Sequence, residues 1–159
     1  MWYDIDNPEC LMDNDTLEDS IVNESEKRLF ILEGKSGCGK TSFIKNLNSK
    51  RILRIPANLL SETIFYPGDL SCKRLNDDVI VYFLSQINLD YLIIEDIDYT
   101  IGRGDSIQLL FAEIVFSLIN QYKVIITGIE ISRICKVFLS TFPNQYRFYE
   151  FTEQKESEE

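Results

Sequence analysis

Eight consecutive residues, Gly34-Lys35-Ser36-Gly37-Cys38-Gly39-Lys40-Thr41, satisfy the pattern GxxxxGK[ST] at every fixed position. The chemistry of such a run follows from geometry. Glycines let the backbone curl until its N–H groups point inward at phosphate oxygens. A helix that starts at the end of the run adds the partial positive charge of its first turn. Lys40 would reach the β- and γ-phosphates, and Thr41 would offer a hydroxyl to Mg²⁺. Gly34 to Thr41, with Ser42 beyond them, are therefore the expected nucleotide-binding set. Cys38 reads as a small tolerated residue, with thiol reactivity at a helix start as the alternative. ATP is the expected ligand, because no NKxD-type guanine motif occurs.

A second run lies about fifty residues on, Tyr91-Leu-Ile-Ile-Glu95-Asp96-Ile97-Asp98. Its apolar residues would form a buried strand that delivers carboxylates to the strand's C-terminal end, where open α/β sheets bind ligands. This is a Walker B pattern. One carboxylate would hold Mg²⁺ through water, and the next would orient or deprotonate the attacking water. The bland reading is a solvated acidic turn. Thr127, which ends a later apolar run, either senses the γ-phosphate or has its hydroxyl satisfied by backbone. Arg54, Arg74, Arg103, Arg133 and Arg147 are scattered, and spacing assigns none of them to phosphate.

Strands and helices must alternate to place these residues. Arg28–Glu33 reads as a buried strand that runs into the glycine loop, with a helix from Lys40 to about Leu47. Strands are expected over 51–57, 91–94, 123–127 and 146–151. Helices are expected over 74–87, 105–122 and from Ile131 to about Phe142, where Pro143 stops the last one. Strands separated by helices of this size imply right-handed βαβ units and a parallel sheet covered on both faces. The expected fold is a three-layer α/β P-loop fold.

Bulk properties narrow the function further. The 159 residues suffice for one hydrophobic core, and histidine is absent, which excludes histidine catalysis and histidine metal sites. Cys10, Cys38, Cys72 and Cys135 show no CxxC pairing, which fits a reducing cytoplasm rather than a disulfide framework. No signal peptide or membrane-length apolar run is read. The net charge of −10 is uneven. Residues 1–26 carry nine acids and no bases, and 153–159 carry four acids and one base. Between them, 27–152 hold thirteen acids against fifteen bases. Three segments follow: an acidic arm over 1–26, the nucleotide-binding domain over 27–152 and an acidic tail over 153–159. Strong direct binding of nucleic acid is not expected, because the acidic ends would repel it. The arm holds Trp2, Tyr3, Leu17 and Ile21 among its acids, which predicts partial ordering against the core or docking of a partner.

With strand order and motifs placed, the chain from about Arg28 to Phe151 resembles the ATPase core of AAA+ proteins, and most of all the DnaA replication-initiator branch. The phosphate loop carries the resemblance. So does Glu95-Asp96-Ile97-Asp98, where that family has two acids, Ile and a polar residue. Tyr99-Thr-Ile-Gly102-Arg103-Gly104 looks like the family's loop into its next helix, and the length from there to Thr127 is similar. The resemblance implies a five-stranded parallel sheet of order 5-1-4-3-2. It implies Glu95 as the Mg²⁺-side acid, Asp96 as the water-activating acid and Thr127 in the sensor-1 region. Departures stand beside it. The metal-side acid is normally Asp, and the usual sensor-1 position holds Ile129. No Arg occurs in 138–146, where the family places an arginine finger, and the chain ends without the helical lid or the DNA-binding domain. The expected function is an ATP-binding, weakly hydrolysing AAA+-like module that acts through a protein partner or a homo-oligomer, in a setting such as replication initiation. The alternatives are a P-loop small-molecule or nucleotide kinase, and an ATP-binding interaction protein without turnover.

Overall fold

A computed structural model describes residues 1–49, 51–58, 82, 84 and 86–153. Among these residues seven strands form one sheet: β1 (Trp2–Asp4), β2 (Asn7–Met12), β3 (Leu29–Glu33), β4 (Ile52–Pro56), β5 (Tyr91–Glu95), β6 (Lys123–Gly128) and β7 (Tyr146–Phe151). Their order is β2-β1-β7-β3-β6-β5-β4. The described helices are α1 (Asn14–Asn23), α2 (Lys40–Lys45), α3 (Ile97–Ile101), α4 (Asp105–Leu118), α5 (Ile131–Ile134) and α6 (Lys136–Ser140). Most of the helix expected over 74–87 lies outside the described residues. So do Cys72 and Arg74.

The expected five-stranded, all-parallel sheet needs correction. The strands β7, β3, β6, β5 and β4 do run parallel. The acidic arm, however, adds two more strands to the β7 edge, and both pairings are antiparallel. The physical reason is burial. Trp2 has no exposed surface, and Leu17 and Ile21 of α1 join it in one apolar cluster with Phe30, Leu32, Phe43 and Tyr149. Charge pairing also brings the acid-rich arm onto the core. Arg147 of β7 bonds Glu24 at 2.7 Å and lies 3.7 Å from Asp4. Lys123 donates to the carbonyls of Ile21 and Val22 at the end of α1, and Asp13 caps the start of that helix by accepting from Thr16 N–H.

The central strands are apolar along their length because both faces are covered. Leu29, Ile31, Leu92, Ile94, Val124 and Ile126 face a cluster completed by α4 and α6. Phe30, Leu32, Ile93 and Ile125 face the arm and α2. The helix expected from Ile131 to Phe142 is broken at Cys135, whose backbone lies at φ −105, ψ 39. A buried side chain from another element supports the break. Gln108 of α4 donates to Ile134 O at 3.0 Å and accepts from Phe138 N–H at 3.0 Å. Buried amide groups need such partners, and here one side chain serves both. The helix expected over 105–122 ends at Leu118.

Candidate functional site

The parallel strands place their C-terminal ends on one side of the sheet. In register, Glu33 of β3 faces Gly128 of β6 and Glu150 of β7, while Ile94 of β5 faces Ile126 of β6 and Glu95 faces Pro56 of β4. The glycine loop, Thr127 and the acid run therefore gather at one sheet end.

The loop leaves β3 at Gly34, whose N–H donates to Gly128 O at 3.1 Å. Gly37 lies at φ +79 and Gly39 at φ +126, conformations that a side chain would strain. Gly34 is needed for closeness instead. A Cβ there would stand 2.5 Å from Cys38 Sγ and 3.0 Å from Phe151 Cβ. Cys38 is thus packed on the loop. Lys35 and Ser36 are exposed, as are Thr41 and Ser42 in the first turn of α2. The ammonium of Lys40 turns back onto its own loop and donates to the carbonyls of Gly34 and Lys35. A cradle of backbone donors with a cation folded across it fits an anionic phosphate chain, which would draw the ammonium from the carbonyls.

The acids take separate paths. Glu95 is half-buried; its Oε1 accepts from Arg54 Nε of β4 at 2.7 Å and lies 2.6 Å from Nη2 in an ion pair. Asp96 is exposed and sits in the left-handed region at φ 60, ψ 52, a strain of roughly 1–2 kcal/mol. Its N–H donates to Thr127 Oγ1 at 3.3 Å, which ties the end of β6 to the acid pair. Asp98 is buried and accepts from Ile129 N–H at 2.9 Å and Glu130 N–H at 2.8 Å.

The last bond marks a residue whose position the sequence did not give. Asp98 belongs to the acid run in sequence. The fold turns it inward to hold the 129–130 backbone. Glu33, buried at the end of β3, likewise accepts from Ser132 N–H at 2.8 Å and from its hydroxyl at 3.0 Å. Burial pushes the Glu33 carboxyl up, and Ser132 opposes the shift. The segment 129–132 is thus held from both sides by two carboxylates, one leading into the loop and one following the acid pair. Arg54 was visible only as a scattered base, because its partner lies forty-one residues away.

Beside the loop lies a cleft of about 420 Å³, bounded by Lys35 and Cys38, by Ile129 and Glu130, and by Tyr3, Glu150 and Phe151. Tyr3 OH donates to Glu150 Oε2 at 2.8 Å, so the arm forms part of the wall. No arginine lines this cleft among the described residues.

Solved structures share this architecture. AMPPCP-bound DnaA from Aquifex aeolicus superposes with a TM-score of 0.62 over 91% of this chain and 48% of its own, at 13% identity. The S. cerevisiae Hsp104–ADP complex gives 0.61 over 92% of this chain and 23% of its own, at 15% identity. A katanin structure gives 0.51 over 79% and 41%, at 15% identity. The likeness is one of fold. The chain spans less than half the length of these structures. No protein-family model and no characterised protein matches its sequence. Among the described residues, no helix is long and apolar enough to cross a membrane.

Proposed function

We propose that this chain is a nucleotide-binding AAA+-type module that holds ATP with Mg²⁺ on the loop from Gly34 to Ser42 and hydrolyses it slowly. The observation that carries this reading is the loop itself: a buried strand, two glycines at positive φ and Lys40 folded onto loop carbonyls. The loop N–H groups would hold the phosphates, and Lys40 would exchange its carbonyls for the β- and γ-phosphates. Thr41 and Glu95 would hold Mg²⁺, which takes one or two protein oxygens with phosphate and water and would neutralise charge on the transferring group. Asp96 would orient and deprotonate the attacking water. Thr127 would align the acid pair through the Asp96 N–H. The likeness to a katanin structure that describes self-assembly supports work through copies of itself or protein partners, and the DnaA likeness offers replication initiation as one setting.

Titration calorimetry with ATP, ADP and GTP, with and without Mg²⁺, tests the reading. Lys40→Ala should largely remove triphosphate binding, because it deletes the ammonium that would reach the phosphates. Equal affinities for wild type and variant would overturn the loop assignment. One observation favours a second reading, an ATP-binding interaction protein without turnover. Glu95 is occupied by Arg54. Phosphate release by the purified chain separates the two.

A further inference from the structure

The arm is built into the phosphate loop's foundation. Trp2 is completely buried, and its indole meets two rings that belong to the loop's supports. Phe43, in α2 just beyond the loop, lies 6.2 Å away between centroids. Phe151, at the end of β7, meets the indole edge-on at 5.1 Å. Phe151 in turn lies under the loop. Its Cβ is 3.0 Å from where a Cβ on Gly34 would stand, and its ring is 3.6 Å from the same point on Gly39. The indole N–H donates to Asn14 Oδ1 at 3.1 Å, which fixes the ring's orientation from α1. The arm also holds the chain just beyond α2, where Glu18 accepts from the N–H and side-chain amide of Asn48 at 2.8 and 3.1 Å.

We propose that Trp2 and Phe151 are positioning residues for the phosphate loop, and that the arm sets the loop's affinity for the phosphate chain through them. The inference rests on the nucleotide reading above. A loop that binds by aimed N–H groups loses affinity when its supports move by a fraction of an ångström. Gly34 and Gly39 have no side chains with which to anchor themselves, so the ring beneath them limits where their backbone can lie. Lys40 must leave the Gly34 carbonyl to reach a phosphate, and that change acts on the residue packed against Phe151. An edge contact between Phe151 and the indole then carries the loop's state to Trp2.

Trp2 is the chain's only tryptophan, so its emission is a direct readout that needs no label and no variant. Wild-type protein is titrated with Mg·ATPγS while calorimetry and tryptophan emission are followed together, with excitation at the red edge where tyrosine is silent. The expected result is a saturable change in emission whose midpoint matches the calorimetric one. Phe151→Leu keeps an apolar side chain and should fold, with binding weakened ~10-fold and the emission change reduced. Trp2→Phe should restore most of the affinity that Trp2→Ala loses. Calorimetric binding with silent Trp2 emission would overturn the coupling. So would a folded Phe151→Leu that binds and responds as wild type does. Absence of calorimetric binding in the wild type would overturn the nucleotide reading instead.

Discussion

Arg54 holds Glu95 at one carboxylate oxygen, by a 2.7 Å hydrogen bond from Nε and an ion-pair contact of 2.6 Å to Nη2. A guanidinium and a metal ion compete for the same lone pairs, so this pair opposes the metal role proposed for Glu95. Arg54→Ala should therefore lower the Mg²⁺ concentration needed for half-maximal ATP binding, by about 3- to 10-fold if the pair is worth ~1 kcal/mol. Glu95→Ala should raise that concentration, because Thr41 and the phosphates alone would then hold the ion. Binding measured across a Mg²⁺ series checks both, and an unchanged midpoint in Arg54→Ala would place the metal elsewhere.

Asp96 and Asp98 should separate cleanly. Asp96 is exposed, and Asp96→Asn should keep ATP affinity while slowing turnover, since an amide does not take a proton from water. Asp98 is buried on two backbone N–H groups. Asp98→Ala should cost about 2–4 kcal/mol of stability by leaving both donors unmet. Denaturant melts and phosphate release on the two variants distinguish these outcomes. Turnover at the wild-type rate in Asp96→Asn would exclude Asp96 as the base.

Turnover by the isolated chain should lie far below the ~1–10³ s⁻¹ typical of enzymes. An arginine finger is worth ~10³–10⁵ in rate, and Arg54, the arginine beside the acid run, is bound to Glu95. Arg147 is held by Glu24 and Arg133 pairs with Glu130 on the surface. Steady-state phosphate release measures this. Several turnovers per second without a partner would mean that Arg133 leaves Glu130 to complete the site, in cis or in an oligomer.

Acid should loosen the arm. Its bond to Arg147 holds the Glu24 carboxyl at about 2, below the ordinary 4.5. A carboxylate with a depressed folded pKa binds its proton more readily when unfolded. Its stabilisation is complete above pH 4.5 and fades as pH falls towards 2. Thermal melts of wild type and Arg147→Gln should differ most at neutral pH, and the gap should close through that window. A gap independent of pH would show that Glu24 does not carry the pairing.

The glycine loop and the acid-bearing strand end were legible because their patterns are local in the chain. The glycines, Lys40 and Thr41 must lie within a few residues of one another, and a strand's end must carry the acids. The apolar central strands were legible for the same reason, since burial on both faces leaves an uninterrupted apolar run. The parts that tertiary structure decided depend on partners far along the chain. Trp2 and the arm's acids gave a partly ordered segment, but only the β7 edge and Arg147 made it two strands and a helix. Apolar periodicity ran through Cys135, and buried Gln108 from α4 stabilised the break there. Asp98 and Glu95 are both acids of one motif, and the fold sends one onto the 129–130 backbone and the other to Arg54. A carboxylate's role follows from the charge or donor that it meets, and those partners are brought to it by the sheet.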